Sequence, residues 1–282
     1  MDDLLIWCYR KLGPVARRLR IQKVSRRLYT AIAERWYPAG ALVTARQNGR
    51  TWKLRRDVAE RGELQEAGTI SWLRKVIRPG MTVIDVGANI GQMTMEAAVL
   101  VGPRGRVIAI EPAAGNLEYL RQHVEANQLS DRVTIVDAAC TNQDGGDVAL
   151  YLAIRKGETS SVGSGHGISG PEPIIRQDSS LRVQEVRVPR VSIDGLCQRH
   201  GIEPSVIKID VEGAEILVVQ GAKNTLRRAR PQVQVGFHPF AFADPRRASA
   251  ELQALAEQAG YRIEGVEVGD TLKLEEYTWL PC

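Results

Sequence analysis

The sequence predicts an open, doubly wound α/β fold, in which a mostly parallel sheet carries helices on both faces. Its 282 residues suffice for one large α/β domain with appendages, and a hydrophobic content of 44% allows a sizeable core. Short apolar runs alternate with longer stretches of helical periodicity between about residues 80 and 240. The first run ends in a glycine-rich turn and the second ends in an acid, which together predict a nucleotide half-site.

The glycine turn begins directly after residues 83–86, a Val-Ile-Asp-Val run that is typical of a buried parallel strand and contains Asp85. Gly87 and Gly91 let the backbone turn sharply and approach a ligand closely. Asn89 tolerates the positive φ that such a turn requires. This turn is therefore the predicted ligand-binding element.

A helix and a second strand follow the turn. Residues 93–100 favour a helix whose first amides would point at a ligand above the turn. The apolar run 107–110 ends in Glu111, which lies 20 residues beyond Gly91. A dinucleotide fingerprint would need glycine at 87, 89 and 92, but positions 89 and 92 hold Asn and Gln. The turn thus favours a ligand other than a nicotinamide dinucleotide.

The remaining elements extend the same pattern on both sides of the half-site. Residues 41–56 predict a hairpin around Gly49, and residues 63–77 predict a helix before the first core strand. Further strands are predicted at 133–136, 148–152, 185–191, 205–209, 233–237, 261–268 and 271–280. Residues 155–182, rich in glycine, proline and serine, interrupt the alternation. We interpret them as a lid-like insertion beside the ligand pocket, with an inert linker as the alternative.

The N-terminal segment differs in composition from the rest of the chain. Residues 3–36 predict helices that mix apolar side chains with arginines, and Gly13-Pro14 separates two of them. We therefore divide the chain into a basic helical arm, residues 1–40, and a domain, residues 41–282. Such an arm is either a solvated helical cap or a peripheral contact with an anionic membrane or a partner.

Composition excludes several other classes. The formal charge of +5 is concentrated in the arm, so no nucleic-acid surface is expected. The four cysteines are scattered without a Cys-x-x-Cys pair, which argues against a disulfide framework or a zinc site. Without a membrane-length apolar run or a secretory signal, the expected location is cytoplasmic.

Three segments of the chain resemble the FkbM-type methyltransferases, a family that depends on S-adenosylmethionine. They are residues 83–91, residues 107–112, and residues 207–215 with the sequence Ile-Lys-Ile-Asp-Val-Glu-Gly-Ala-Glu. The resemblance implies a class I methyltransferase (Rossmann-like) fold, with a mostly parallel seven-stranded sheet and an antiparallel last strand. It also implies S-adenosylmethionine as cofactor and a hydroxyl of a sugar, glycan or secondary metabolite as methyl acceptor.

The predicted cofactor-binding residues each follow or interrupt a strand. Glu111 can accept hydrogen bonds from both ribose hydroxyls through its two oxygens, or it is a surface acid that caps the following helix. Asp85 either holds the methionine amino group or orients the turn, and Asn89 can donate to the carboxylate end. Asp137 and Ala138 follow the third strand, and Asp137 would meet the adenine amino group there or is simply an exposed strand-end acid. Together with Gly87 and Gly91, these residues form the predicted cofactor site.

The candidate catalytic residues are Asp210, Glu212 and His238. Asp210 and Glu212 lie two apart on a segment expected to be extended, so both could face the acceptor, one as base or orienting group and the other assisting. A second possibility is a divalent cation on these carboxylates, with Asp210 as ligand. A third is that Glu212 caps the following helix while Lys208 pairs with Asp210. His238 follows the fifth strand and is either a general base near neutral pH or a structural histidine at the strand end.

The chain departs from the family pattern at one position near this histidine. Many members carry glutamate two residues before it, where this chain has Gly236. The departure removes one candidate catalytic carboxylate, which makes His238 the stronger candidate for a catalytic role. The competing functions are an NAD(P)-binding oxidoreductase and a non-catalytic binding module that retains the fold. The sequence leaves the acceptor and the oligomeric state open.

Overall fold

The structure is a computed structural model that describes residues 35, 38, 40–61, 67–154, 166–168, 170–171, 181–265 and 275–282. The predicted arm over residues 3–36 and most of the predicted lid over 155–182 lie outside the described residues. The domain boundary at residue 40 therefore remains a prediction. Within the described parts, no helix is long and apolar enough to cross a membrane.

A seven-stranded sheet forms the centre of the fold. Its strands are β3 (Thr82–Val86), β4 (Arg106–Glu111), β5 (Val133–Asp137), β10 (Val206–Ile209), β11 (Gln232–Phe237), β12 (Tyr261–Gly265) and β13 (Glu275–Pro281). Their order across the sheet is β12-β13-β11-β10-β3-β4-β5. All neighbouring pairs are parallel except those made by β13, which runs antiparallel to β11 and β12. The predicted seven-stranded sheet with an antiparallel last strand is confirmed.

Helices cover both faces of this sheet. They are α1 (Arg56–Arg61), α2 (Ala67–Val76), α3 (Gln92–Val101), α4 (Ala114–Ala126), α5 (Ile193–His200), α6 (Glu215–Gln220), α7 (Lys223–Ala229) and α8 (Pro245–Gln258). Successive residues of each core strand alternate between the two faces, so Val83 joins one buried cluster and Ile84 joins the other. Two apolar cores result, one with α2, α3 and α4 and one with α5 to α8.

A second, four-stranded sheet stands beside the core. It comprises β6 (Ala139–Cys140), β7 (Asp147–Ile154), β8 (His166–Gly167) and β9 (Arg182–Val191), in the order β6-β9-β7-β8. β7 pairs antiparallel with both β8 and β9. β8 belongs to the predicted lid, so one described part of that insertion is a short strand attached to β7.

The predicted hairpin is present as β1 (Leu42–Gln47) and β2 (Arg50–Arg55), which form a separate two-stranded sheet. The outer edge of β2 is bound by side chains of the α4 region. The Asn127 amide accepts from the Lys53 N–H at 2.9 Å and donates to the Lys53 carbonyl at 2.8 Å. His123 Nε2 accepts from the Arg55 N–H at 3.0 Å, while its Nδ1–H donates to the Ile90 carbonyl at 2.7 Å. The hairpin is thereby linked to the glycine turn.

Candidate active site

A cavity of about 300 Å³ opens at the carboxyl ends of the central strands. This is where ligands bind in open α/β sheets, and the volume lies at the lower end of the usual range for small-molecule sites. Its lining comes from the glycine turn, Glu111, the segment after β10, His238, and the apolar residues Ala139, Leu150 and Ile168. The structure thus brings four strand ends and the second sheet around one space.

The glycine turn is held tightly under this cavity. Gly87 has φ 75° and Asn89 has φ 51°, so both adopt the left-handed conformation that was expected for Asn89. The N–H of Gly87 donates to the Ile110 carbonyl at 2.9 Å. A Cβ at Gly87 would overlap the carbonyl oxygen of Asp210 and lie 2.8 Å from its carbonyl carbon. The cofactor turn and the segment carrying Asp210 therefore touch backbone to backbone.

Glu111 lines the cavity but is only 2% exposed. Oε2 accepts from the Asn89 N–H at 2.8 Å, and Oε1 accepts from the Ala113 N–H at 3.0 Å and from Asn116 Nδ2 at 3.1 Å. Burial raises the pKa of Glu111, while these hydrogen bonds and the charge of Lys208 act to lower it. Since a carboxylate offers about four lone-pair positions, the position left by these bonds for a ribose hydroxyl is on Oε2.

Asp85 is buried and does not line the cavity. Its Oδ2 accepts from Thr94 Oγ1 at 2.6 Å, and its Oδ1 lies 3.3 Å from Lys208 Nζ. Oδ1 accepts no hydrogen bond from any described residue, so the contact with Lys208 is an ion pair rather than a hydrogen bond. Lys208 Nζ also donates to the Gly87 carbonyl at 3.2 Å. This arrangement favours the turn-orienting role for Asp85 over a direct cofactor contact.

Asp137 and Ala138 are not among the residues that line the cavity. The Asp137 side chain is 56% exposed and faces Arg121, with Arg121 Nη2 3.2 Å from Asp137 Oδ2. Ala138 is buried, and the cavity wall is formed by Ala139 instead. The Asp137 side chain thus matches the alternative of an exposed strand-end acid, and Ala138 lies one residue before the cavity wall.

Asp210, Glu212 and His238 all line the cavity. Asp210 Oδ2 lies 3.4 Å from Lys208 Nζ, and Asp210 Oδ1 lies 3.4 Å from His238 Nε2. Glu212 has φ 50°, so the chain makes a left-handed turn at this residue instead of the expected extended segment. The helix cap expected of Glu212 is absent, because α6 has no side-chain cap among the described residues; the N–H of Gly213, which precedes the helix, donates to Glu215 Oε1 at 3.0 Å. The predicted ion pair between Lys208 and Asp210 is present, together with a second cation at Asp210.

His238 is buried between carboxylates. Its Nδ1 lies 2.6 Å from Glu215 Oε1, and its Nε2 faces Asp210. Burial lowers the pKa of His238, but the hydrogen bond with Glu215 and the charges of Glu215, Asp210 and Glu212 outweigh it and raise the pKa to about 9. At neutral pH the ring is therefore an imidazolium, which favours a role as a cation that holds Asp210 over the predicted role as general base.

The described residues do not form a preassembled binding site for the predicted divalent cation. None of their His, Cys, Asp and Glu side chains form a group of three or more that could hold a metal ion. Both Asp210 oxygens instead lie 3.4 Å from protein cations, Lys208 and His238, which would repel a metal ion at the same carboxylate. Binding of a divalent cation at Asp210 therefore remains a prediction, which adding a chelator tests.

Sequence reasoning missed two residues at this site. Lys208 was expected only as a partner of Asp210, although it also contacts Asp85 and the Gly87 carbonyl. Glu215 lies in the family-like segment but had no predicted role, and it is fully buried against His238. A lysine in the middle of an otherwise apolar strand was the available signal for the first. No sequence signal indicated a role for Glu215, because its partner His238 lies 23 residues away in sequence.

The sheet order, the glycine turn and the acid at the end of β4 are those of the class I methyltransferase fold. The family model for the methyltransferase FkbM domain matches residues 85–263, well over half of the chain. The chain belongs to the FkbM methyltransferase family. This finding displaces the oxidoreductase alternative.

Individual relatives are more distant. A demethylmenaquinone methyltransferase from Symbiobacterium thermophilum is 36% identical over 58 residues, which cover 21% of this chain and 23% of that protein. The structure of methyltransferase FkbM from Methylobacillus flagellatus has a TM-score of 0.44 and 16% identity, covering 76% of this chain and 51% of that one. A SAM-dependent O-methyltransferase from Thermotoga maritima has a TM-score of 0.45 and 13% identity, covering 86% and 78%. The chain spans about a quarter of the curated relative and half of the Methylobacillus chain.

The residues present fit S-adenosylmethionine. Helix α3 starts at the cavity without a side-chain cap, so its first N–H groups can bind a carboxylate. Glu111 offers an acceptor for a ribose hydroxyl, and Ala139, Leu150 and Ile168 offer apolar surface for a base. Groups suited to the cofactor's carboxylate, its ribose and its base are therefore present around the cavity.

Proposed function

We propose that this chain transfers a methyl group to a hydroxyl of a sugar, glycan or secondary metabolite. The observation that carries the proposal is the position of Asp210, in the cavity wall and in backbone contact with the cofactor turn. S-adenosylmethionine, when bound, supplies an electrophilic methyl group. The chain itself then has to position the hydroxyl and accept its proton.

Asp210 is the residue we assign to this task. Its side chain is 23% exposed, compared with 3% for Asp85 and 0% for Glu215, so it is accessible from the cavity. Lys208 and His238 each contact one of its oxygens, which fixes the plane of the carboxylate. Each oxygen keeps lone-pair capacity for an acceptor hydroxyl. Glu212 lines the same wall and would assist in binding the acceptor.

The test uses wild-type protein, Asp210→Asn, and Asp131→Asn as an exposed control. Each is incubated with S-adenosylmethionine and a panel of sugars, glycans and hydroxylated metabolites, and products are analysed by mass spectrometry for the gain of one CH₂ group. We expect products from the wild type and the control, with at least about a hundredfold loss in Asp210→Asn, the scale of general acid–base contributions. Adding a chelator should leave the wild-type rate unchanged.

Affinity for S-adenosylhomocysteine, measured by calorimetry, separates the possible failures. Glu111→Ala should lose this affinity, whereas Asp210→Asn should keep it within about twofold. Binding without methylation of any panel member would favour a non-catalytic module. Methylation at carbon or nitrogen would contradict the assignment of a hydroxyl acceptor.

A further inference from the structure

A row of alternating charges crosses the floor of the cavity. From one end to the other it contains Glu215, His238, Asp210, Lys208 and Asp85. Successive contacts measure 2.6, 3.4, 3.4 and 3.3 Å. Asp210 is the member of the row with the most exposed side chain, at 23%. The row therefore ends in buried carboxylates on both sides and presents its central carboxylate to the ligand.

Glu215 is the end of this row with no assigned purpose. It is fully buried at the start of α6, and its Oε1 accepts from the Gly213 N–H and contacts His238 Nδ1. Its Oε2 has no hydrogen-bond partner among the described residues. A buried carboxylate is costly unless a cation compensates it. The cation in contact with Glu215 is the His238 ring.

The proton of this pair could sit on either partner. With the proton on Glu215, both groups would be neutral and the ring would exert no charge on Asp210. Asp210 lies at Nε2, on the opposite side of the ring from Glu215, and the negative charges of Asp210 and Glu212 both favour the proton on His238. Phe240, from the segment after His238, packs edge-on against the ring and adds no charge. The surroundings thus favour an imidazolium between two carboxylates.

We propose that Glu215 is a positioning residue: it fixes the orientation and charge of the His238 ring, and through this ring it holds the Asp210 carboxylate at the acceptor side of the cavity. This inference deepens the proposed function and rests on it for the identity of the acceptor side. Glu215 does not touch the cavity, so it acts only through His238. Loss of its charge would leave Asp210 with Lys208 as its cation.

The alternative is a purely structural role, in which Glu215 accepts from the Gly213 N–H and stabilises the turn that precedes α6. Glu215→Gln separates the two roles. The glutamine carbonyl can still accept from the Gly213 N–H, so this structural role would be preserved. The negative charge facing His238 would be lost. Glu257→Gln, on an exposed position of α8, is the matched control.

The experiment uses full-length protein with ring-¹⁵N-labelled histidine, and His238→Asn identifies the His238 resonances. At pH 7.5 we expect both ring nitrogens to be protonated in the wild type and in Glu257→Gln. In Glu215→Gln the midpoint of the His238 titration should fall by about one to three pH units. Glu215→Asp, which keeps the charge, should restore part of the difference.

Calorimetry with S-adenosylhomocysteine accompanies each titration. A neutral His238 ring in the wild type at pH 7.5 would overturn the inference, as would an unchanged titration in Glu215→Gln. If Glu215→Gln fails to fold, the wild-type and Glu215→Asp titrations decide the matter. Wild-type protein with an imidazolium but no affinity for S-adenosylhomocysteine would instead refute the proposed function, so the two failures remain distinct.

Discussion

Gly87→Ala tests the backbone contact between the cofactor turn and the Asp210 segment. At φ 75° an alanine costs about 1–2 kcal/mol. Its Cβ would also overlap the Asp210 carbonyl. That carbonyl cannot retreat easily, because the Asp210 N–H donates to the Val86 carbonyl at 3.0 Å. Overpacking of this kind adds about 1–3 kcal/mol, so the total loss of unfolding free energy should be about 2–5 kcal/mol.

Gly49→Ala is the matched control, because Gly49 has φ 80° but a Cβ added there would meet no atom within 4 Å. It should cost only the conformational part, about 1–2 kcal/mol. Denaturant unfolding measures both variants, and calorimetry measures their affinity for S-adenosylhomocysteine. We expect Gly87→Ala to bind at least about tenfold more weakly, which is about 1.4 kcal/mol, and Gly49→Ala to bind like the wild type. Equal stability of the two variants, or unchanged binding by Gly87→Ala, would refute the contact.

Three further predictions concern charged residues. Lys208→Met should lower the free energy of unfolding, measured with denaturant, by about 3–5 kcal/mol, because it leaves Asp85 buried without its cation. Adding Asp85→Asn to this variant should restore part of the lost stability. If it restores none, the ion pair between Lys208 and Asp85 is contradicted. The His238 pKa is raised to about 9 from 6.5, so its stabilising contribution is fully present below pH 6.5 and is lost as the pH rises to about 9. This difference in pKa corresponds to about 3 kcal/mol, so the free energy of unfolding should fall by this much more in the wild type than in His238→Gln over that interval. Parallel curves of unfolding free energy against pH for the two proteins would contradict the raised pKa of His238. Asp137→Asn should leave the affinity for S-adenosylhomocysteine within about twofold, since the side chain faces Arg121 outside the cavity; a large loss would restore Asp137 as a cofactor contact.

The sequence was sufficient for the sheet because its information is local. Buried strands are short apolar runs, and their spacing by helices dictates parallel pairing. The same argument brought Glu111, Asp210 and His238 to one edge, since each follows a strand and all parallel strand ends meet there. Element boundaries moved by only a few residues, as for β7, expected at 148–152 and observed at Asp147–Ile154.

Side-chain direction and pairing could not be obtained in the same way. Asp137 turns away from the cavity because an arginine on α4 is within reach, and no sequence pattern shows that proximity. The state of His238 depends on Glu215, which lies on another element and acts through a buried contact at 2.6 Å. Glu212 reaches the cavity through a left-handed residue rather than strand alternation. These features depend on three-dimensional neighbours, which are not encoded in the order of nearby residues.

The side chains along the outer edge of β2 also bear on how this chain meets other chains. An exposed strand edge is a template on which a foreign strand can assemble, which is a common origin of fibrous aggregates. At Lys53 the Asn127 amide reproduces both hydrogen bonds that an incoming strand would make, and His123 satisfies the Arg55 N–H. An extended peptide would have to displace these side chains before it could add to the ribbon. The helix that supports the cofactor turn thus also protects the hairpin from strand addition at this edge.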